Sequence, residues 1–151
     1  MSATVDILTV THSISSLSIS GVTVKDTHDV TDSMGLATAM LMPNLAGPFL
    51  TDVSIEYDES SQQYLRLNYS LHYRYYHCQI GGGLGGVFGP YSALLTNVIA
   101  IYLAFSGDAT LSGALNNIYP TLDYVGGVQD LAGNDYHGAD FTLRIVQLLE
   151  V

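Results

Sequence analysis

The glycines between Ile80 and Pro90 are the residues whose spacing comes closest to a chemical motif. Gly81, Gly83 and Gly86 fit the pattern G-x-G-x-x-G, which in dinucleotide-binding folds brings phosphates to the start of a helix. Such a site needs a buried parallel strand before the glycines and a second strand-helix-strand unit after them. The preceding segment is amphipathic and typical of an antiparallel strand, and no second unit follows. We therefore interpret the run as a flexible hinge and expect no cofactor.

The histidines and the cysteine form no recognisable catalytic or metal-binding pattern. His72 and His77 are an odd number of residues apart, so they point to opposite faces of a strand. Cys78 follows His77 directly and points to the other side in turn, and the chain has no G-x-S-x-G motif. The acidic residues near the C-terminus lack the spacing of a calcium loop. We expect no catalytic residue, no metal site and no enzyme activity.

The elements that would position these residues are organised around one long strand, Tyr64 to Cys78. Its apolar and polar residues alternate, as in a strand that buries only one face. The predicted buried face holds Leu65, Leu67, Tyr69, Leu71, Tyr73 and Tyr75, and the other face holds Arg66, Asn68, Ser70, His72 and Arg74. The second face is predicted to be a wet surface or to meet a partner.

Helical and strand patterns flank this strand on both sides. Apolar spacing predicts a short helix within residues 5–19 and a principal helix within Pro90 to Phe105. Further strands are predicted at Ile19 to Lys25, Thr51 to Tyr57, Asn116 to Tyr124, Val125 to Leu131 and Phe141 to Ile145, with a loop at Ala132 to Ala139.

These elements predict an α+β fold, with an antiparallel or mixed sheet, one long central strand and one principal helix packed on it. The chain is long enough for one domain with a substantial core. We expect that domain to span residues 1–151, with a projecting arm or loop near residues 26–50 and 123–139.

Basic residues are scarce in this chain. The net charge is -10, and the only basic residues are Lys25, Arg66, Arg74 and Arg144. A protein that grips nucleic acid needs a patch of many cations, so we expect DNA to be at most a passing partner. The N-terminus shows no signal-peptide pattern, and the lone cysteine can form no intrachain disulfide, which indicates an intracellular product.

The apolar segment 87–105 contains proline, serine, threonine and asparagine without a basic flank, so no membrane span is expected.

The segment from Tyr75 to Gly107 contains no charged residue at all. A surface helix of a monomer normally carries charges on its outer face. A chain with 48% hydrophobic and 12% charged residues must expose neutral surface or hide it against other subunits. We predict a ring-forming homo-oligomer that buries part of this segment. The residues expected at the subunit interface are Phe88, Tyr91, Ser92, Thr96, Asn97, Arg66 and Arg74.

The order of these segments resembles that of tail terminators and related neck proteins of long-tailed bacteriophages. The resemblance is carried by the strand Ser18 to Asp26, the Met42-Pro43 stretch, the strand Tyr64 to Tyr69, the long helix and the C-terminal strand from Phe141 to Glu150. The glycine run from Gly81 to Gly89 has no match in that family.

The resemblance implies a structural virion protein, assembled in the host cytoplasm, whose subunits form a hexameric ring at the head-proximal end of the tail tube. Such a ring stops tube growth and joins the tail to the head connector. On this hypothesis Asp123, Asp130 and Asp135 face the lumen or a partner ring, where an acidic surface lets DNA slide without sticking. Two alternatives stay open. One is another phage connector, tube or minor capsid protein, and the other is a small-ligand or nucleotide-binding enzyme subunit.

Overall fold

The computed structural model describes residues 7–25, 39–44, 47–58, 61–79, 88–107, 117–131 and 134–150. Within these ranges lie two α-helices and a mixed sheet of six strands, so the fold is α+β, as predicted. In chain order the elements are α1 (Ile7–Ser15), β1 (Thr23–Val24), β2 (Met40–Pro43), β3 (Leu50–Asp58), β4 (Ser61–Gln79), α2 (Phe88–Gly107), β5 (Asn117–Leu131) and β6 (Asn134–Glu150).

β4 shares backbone hydrogen bonds with three neighbouring strands. β3 pairs with its first part, β2 with a short stretch near its end, and β6 along nearly its whole length, all antiparallel. β5 continues the sheet beyond β6, and the short β1 pairs with β2 in parallel. β3 and β5 therefore lie at opposite edges of the sheet.

One face of the sheet carries the main hydrophobic core. Of the predicted inward residues of β4, Leu65 is half-buried and the others are buried (Leu67, Tyr69, Leu71, Tyr73, Tyr75). Those of the last strand are buried too (Phe141, Leu143, Ile145). The two helices cover this face with Leu94, Val98, Ile101 and Phe105 from α2 and with Val10 and Ile14 from α1. Each large apolar side chain buried in this way contributes about 2 kcal/mol. A slip of one residue would expose the whole set, so the alternation specifies the register of β4 and β6.

The opposite face of β4 is less exposed to solvent than its alternation of apolar and polar residues predicts. Ser70 is buried, and Tyr76 packs edge-to-face on Tyr136 with the ring centroids 5.6 Å apart. Met42 from β2 completes this second apolar cluster. The predicted face was expected to be wet or to meet a partner. Tyr76, which continues that face towards the end of β4, is instead buried by apolar side chains from β2 and β6.

The C-terminal strands are longer than predicted. β5 runs without interruption where the sequence predicts two weak strands. Gly126 and Gly127 fall at a register shift in its pairing with β6, so the glycines produce an irregularity in the ladder and do not end the strand. The predicted loop at 132–139 is wrong for residues 134–139, which belong to β6.

The first part of the chain follows its predicted pattern only partly. The short helix is confirmed by α1. Within the predicted strand from Ile19 to Lys25, regular pairing is confined to β1, because Gly21 adopts a φ of 77° and turns the chain between the bridged residues Ile19 and Val22.

Several predicted segments fall partly or wholly beyond the described residues. Within the predicted arm near 26–50, residues 39–44 contain β2 and residues 47–50 lead into β3, while 26–38 and 45–46 lie outside the described residues. The predicted projection near 123–139 coincides with the paired ends of β5 and β6, apart from residues 132–133. Of the glycine hinge predicted between Ile80 and Pro90, residues 80–87 lie outside the described residues. The prediction is wrong at Gly89, because α2 begins at Phe88 and includes this glycine.

Candidate functional site

The outward face of α2 is apolar. Leu95, Ile99, Tyr102 and Leu103 are 51%, 58%, 40% and 61% exposed, and their spacing places them in one row along the helix. We call these four residues the α2 stripe. α2 contains no charged residue on either face. A helix that is apolar on both sides is suited to contact a partner on the side that its own sheet does not cover.

The predicted interface residues of α2 do not all lie beside this stripe. Ser92 and Thr96 are exposed, and the Thr96 hydroxyl donates a hydrogen bond of 3.0 Å to the Ser92 carbonyl. Asn97 is half-buried, and its Nδ2 donates to the Tyr75 hydroxyl at 2.7 Å, so this side chain faces the sheet. The side chains of Phe88 and Tyr91 lie outside the described residues, although both residues belong to the first turns of α2.

A short hydrogen-bond chain anchors α2 to β4. The Tyr75 hydroxyl accepts from Asn97 and lies 2.7 Å from Nδ1 of His77. Because a hydroxyl has one proton, it satisfies both neighbours when it donates to an unprotonated Nδ1. Burial, together with the charge of nearby His137, lowers the pKa of His77. The geometry and the shift both favour the neutral imidazole.

We expect the chain to lose stability as the pH falls through the ordinary histidine pKa of 6.5. An unfolded His77 takes up a proton near the ordinary pKa of 6.5, whereas the folded one does so at lower pH. Between these values the unfolded state binds more protons, so the free energy of unfolding decreases with falling pH. Urea unfolding as a function of pH measures this slope, and His77→Gln should reduce it while leaving an amide oxygen to accept from Tyr75. An unchanged slope in the variant would show that other groups are responsible.

The predicted interface arginines of β4 have different surroundings. Arg66 is exposed and lies opposite Glu56 of β3 in the strand register. It lines an open groove of about 480 Å³ together with Asp52, Glu56, Asn68 and Arg144, among others. Arg74 instead pairs within the subunit, with Nε 2.7 Å from Oδ1 of Asp140 on β6. Burial lowers the pKa of Arg74, but the hydrogen bond and charge of Asp140 outweigh this effect, so the pKa is raised. Arg66 is therefore the better placed of the two to meet a partner.

A second polar network crosses four strands on the same face as the groove. Nε2 of His72 lies 2.6 Å from the Thr51 hydroxyl, and Nδ1 lies 3.4 Å from the Thr142 hydroxyl. Thr51 donates to Asp52 at 3.0 Å, and Thr142 donates to Asp123. Since each threonine gives its only proton to a carboxylate, its oxygen can only accept from His72, and an imidazole with a single N–H donates to one of the two. The network ties β3, β4, β6 and β5 together.

Sequence reasoning did not find this network. A sequence pattern relates His72 only to residues of its own strand, whereas the side chains that His72 contacts belong to β3 and β6. The available signal was the matching polar alternation of Thr51, His72 and Thr142, which becomes informative only once the strand pairing is known.

The acidic residues predicted to face a lumen or partner lie on the β5–β6 hairpin. Asp123 accepts the hydrogen bond from Thr142, so its carboxylate is engaged within the subunit. Asp130 and Asp135 are directly paired in the register near the end of the hairpin. Their side chains lie outside the described residues. The backbone thus brings these two acidic positions together, and it separates them along the strands from Asp123.

Neither a metal site nor a membrane-spanning helix is present among the described residues. In the part of the chain that the structure describes, no three His, Cys, Asp or Glu side chains are grouped so that they could hold a metal ion. Among the described residues, no helix is both long enough and apolar enough to cross a membrane. Neither family models, nor curated proteins, nor solved structures gave a match to this chain. The surfaces of the fold are thus the basis for inferring its function.

Proposed function

We propose that the chain is a structural virion protein, a ring-forming tail terminator at the head-proximal end of a bacteriophage tail tube. In this proposal β4 is the central strand of the subunit, α2 is its principal helix, and the outward side of α2 is a subunit interface. The observation that carries the proposal is the α2 stripe, a row of exposed apolar residues on a helix without charge.

The hydrophobic free energy of the α2 stripe favours its burial against a partner. Monomeric proteins rarely leave a contiguous apolar patch of several hundred Å² in water. At about 25 cal/mol per Å², covering a patch of roughly 400 Å² contributes roughly 10 kcal/mol before the entropy of association is subtracted. Closed symmetry is the usual way in which identical subunits cover such surfaces.

The charge distribution supports contact between identical copies through α2. Subunits that each carry a net charge of -10 repel one another, and an uncharged helix is a surface on which this repulsion is weakest. The same excess of acid allows DNA to pass through a lumen without being gripped, because phosphates find no cationic patch. Arg74 adds little to such a patch, since its charge is offset by Asp140.

This reasoning applies to any virion ring with an α2 contact, including a connector, a tube or a minor capsid ring. A tail terminator differs from these by its neighbours, because it meets the tail tube on one side and the head connector on the other. Electron microscopy of assembled particles with the chain labelled at its C-terminus tests this assignment. A label at any place other than the head-proximal end of the tail would contradict it.

Thr96→Glu should weaken assembly by about 100-fold or more, because it places a charge within the proposed contact. The subunit fold should be little affected, since Thr96 is exposed on α2. Native mass spectrometry measures the assembled mass, and circular dichroism measures the fold. Thr23→Glu makes the same change at an exposed threonine of β1 and should assemble normally. If Thr96→Glu assembles as well as the wild type, α2 is not the interface.

A further inference from the structure

A second exposed apolar surface lies on the edge strand β3. Val53, Ile55 and Tyr57 alternate along the strand and are 55%, 65% and 62% exposed. We call these three residues the β3 patch. Ile55 is paired with Leu67 and Tyr57 with Leu65, so these two side chains lie on the face of the sheet that the helices cover. They extend that apolar face beyond the part that is buried.

The side of β3 that carries the patch presents apolar side chains, and the acidic residues nearby point elsewhere. Glu56 is paired with Arg66 and points to the opposite face of the sheet, where the groove lies. Asp52 precedes the patch at a register shift and has a φ of 56°, which marks a bulge in the strand. The β3 patch therefore has an uncharged surface, as the α2 stripe does, although the neighbouring positions of the strand are acidic.

The two surfaces lie on different elements of the subunit. α2 lies closest to β5, an edge strand of the sheet, and also reaches β4, where Asn97 contacts Tyr75. β3 pairs with β4 on the side away from β6 and β5. The α2 stripe and the β3 patch are thus two different surfaces of one subunit.

We propose that the α2 stripe of one subunit packs on the β3 patch of the next copy of this chain. This inference rests on the proposed ring. A ring of more than two subunits closes through head-to-tail contacts, which require two different and complementary surfaces on each subunit. The stripe and the patch are two such different surfaces, carried by α2 and β3.

The charge and the size of the two surfaces favour another copy of this chain as the partner. The stripe and the patch offer a basic partner no charge to pair with, whereas two copies of this chain, which repel each other through their net charge of -10, repel least where both surfaces are uncharged. A standard interface buries about 800 Å² per partner, around an apolar centre and a polar rim. The stripe and the patch supply the centre, and the exposed Ser92 lies beside it as a rim residue.

The competing arrangement is a two-fold contact in which the α2 stripe meets the α2 stripe of another copy. That contact uses the same surface on both subunits and leaves the β3 patch in water. The two arrangements give opposite results for a pair of opposite charges placed on the two surfaces of one chain.

The test uses Ile99→Glu on the stripe and Ile55→Lys on the patch, with the assembled mass measured by native mass spectrometry at low salt. Each single variant should weaken assembly by about 100-fold or more, because it buries one unpaired charge. The double variant should recover to within about tenfold of the wild type, because each introduced carboxylate then meets an introduced ammonium. Raising the salt concentration should weaken the recovered ring more than the wild-type ring, since the new contact is partly ionic.

Leu8→Glu is the matched control, because it charges an equally exposed leucine on the other helix and should assemble normally. Circular dichroism of every variant confirms that the subunits remain folded. If Ile99→Glu dissociates the ring but the double variant does not recover, the pairing of stripe with patch is wrong while the ring itself stands. If the wild type forms no oligomer, or Ile99→Glu has no effect, the proposed α2 interface is wrong and this inference falls with it.

Discussion

Replacing Phe141 with alanine is expected to lower the free energy of unfolding by about 3–5 kcal/mol. Phe141 is 1% exposed on β6, and it is paired with Tyr73 of β4 on one side and with Leu122 of β5 on the other. Truncation removes the burial of the ring and leaves a cavity that close-packed neighbours fill only in part. Urea unfolding at a fixed protein concentration measures the loss.

Leu122→Ala is the control for this experiment. Leu122 is the β5 partner of Phe141, but it is 38% exposed, so its truncation should cost much less, about 1 kcal/mol. Equal losses in the two variants would contradict the position of the core between the sheet and the helices.

Replacing Asp140 with alanine is expected to lower the free energy of unfolding by about 3 kcal/mol. The Arg74 and Asp140 side chains are only 16% and 28% exposed, and their positions are directly opposite on β4 and β6. Without the carboxylate, the guanidinium is left largely buried and its charge is no longer compensated by Asp140. The loss should appear in urea unfolding at neutral pH.

The double variant Arg74→Met with Asp140→Leu distinguishes two quantities. One is the destabilisation caused by leaving Arg74 without its carboxylate, and the other is the contribution of the intact ion pair to the free energy of unfolding. Replacing both partners by apolar side chains of similar size is often nearly neutral, so we expect most of the lost stability to return. If the double variant is as unstable as Asp140→Ala, the pair itself stabilises the fold, and the cost does not come from the uncompensated arginine.

The two faces of α2 have different surroundings. Leu94, Val98, Ile101 and Phe105 pack the helix on its own sheet, and the α2 stripe is exposed. Hydropathy does not separate the two rows, since both consist of large apolar residues at helical spacing. The position of the sheet decides which row is covered and which is exposed.

Local periodicity was sufficient to predict several elements of the fold. The alternation in β4 correctly predicted the inward set from Leu67 to Tyr75, and the charge-free helical spacing correctly predicted a helix over the region of α2. Glycine was the least reliable signal. Gly21 does turn the chain, but Gly126 and Gly127 are accommodated inside β5 because the neighbouring strand continues the hydrogen-bond ladder on either side of the irregularity.

The sequence by itself determined the fold class, the long amphipathic strand, the long helix and the absence of charge along that helix, because each of these follows from residue types a few positions apart. Only the tertiary structure decided the partners of individual polar side chains. It places Asn97 on Tyr75, Arg74 on Asp140, and His72 between Thr51 and Thr142. It also leaves the α2 stripe and the β3 patch exposed on two different elements of the subunit. These contacts join residues far apart in the chain, and their geometry depends on strand order and register, which no local pattern contains.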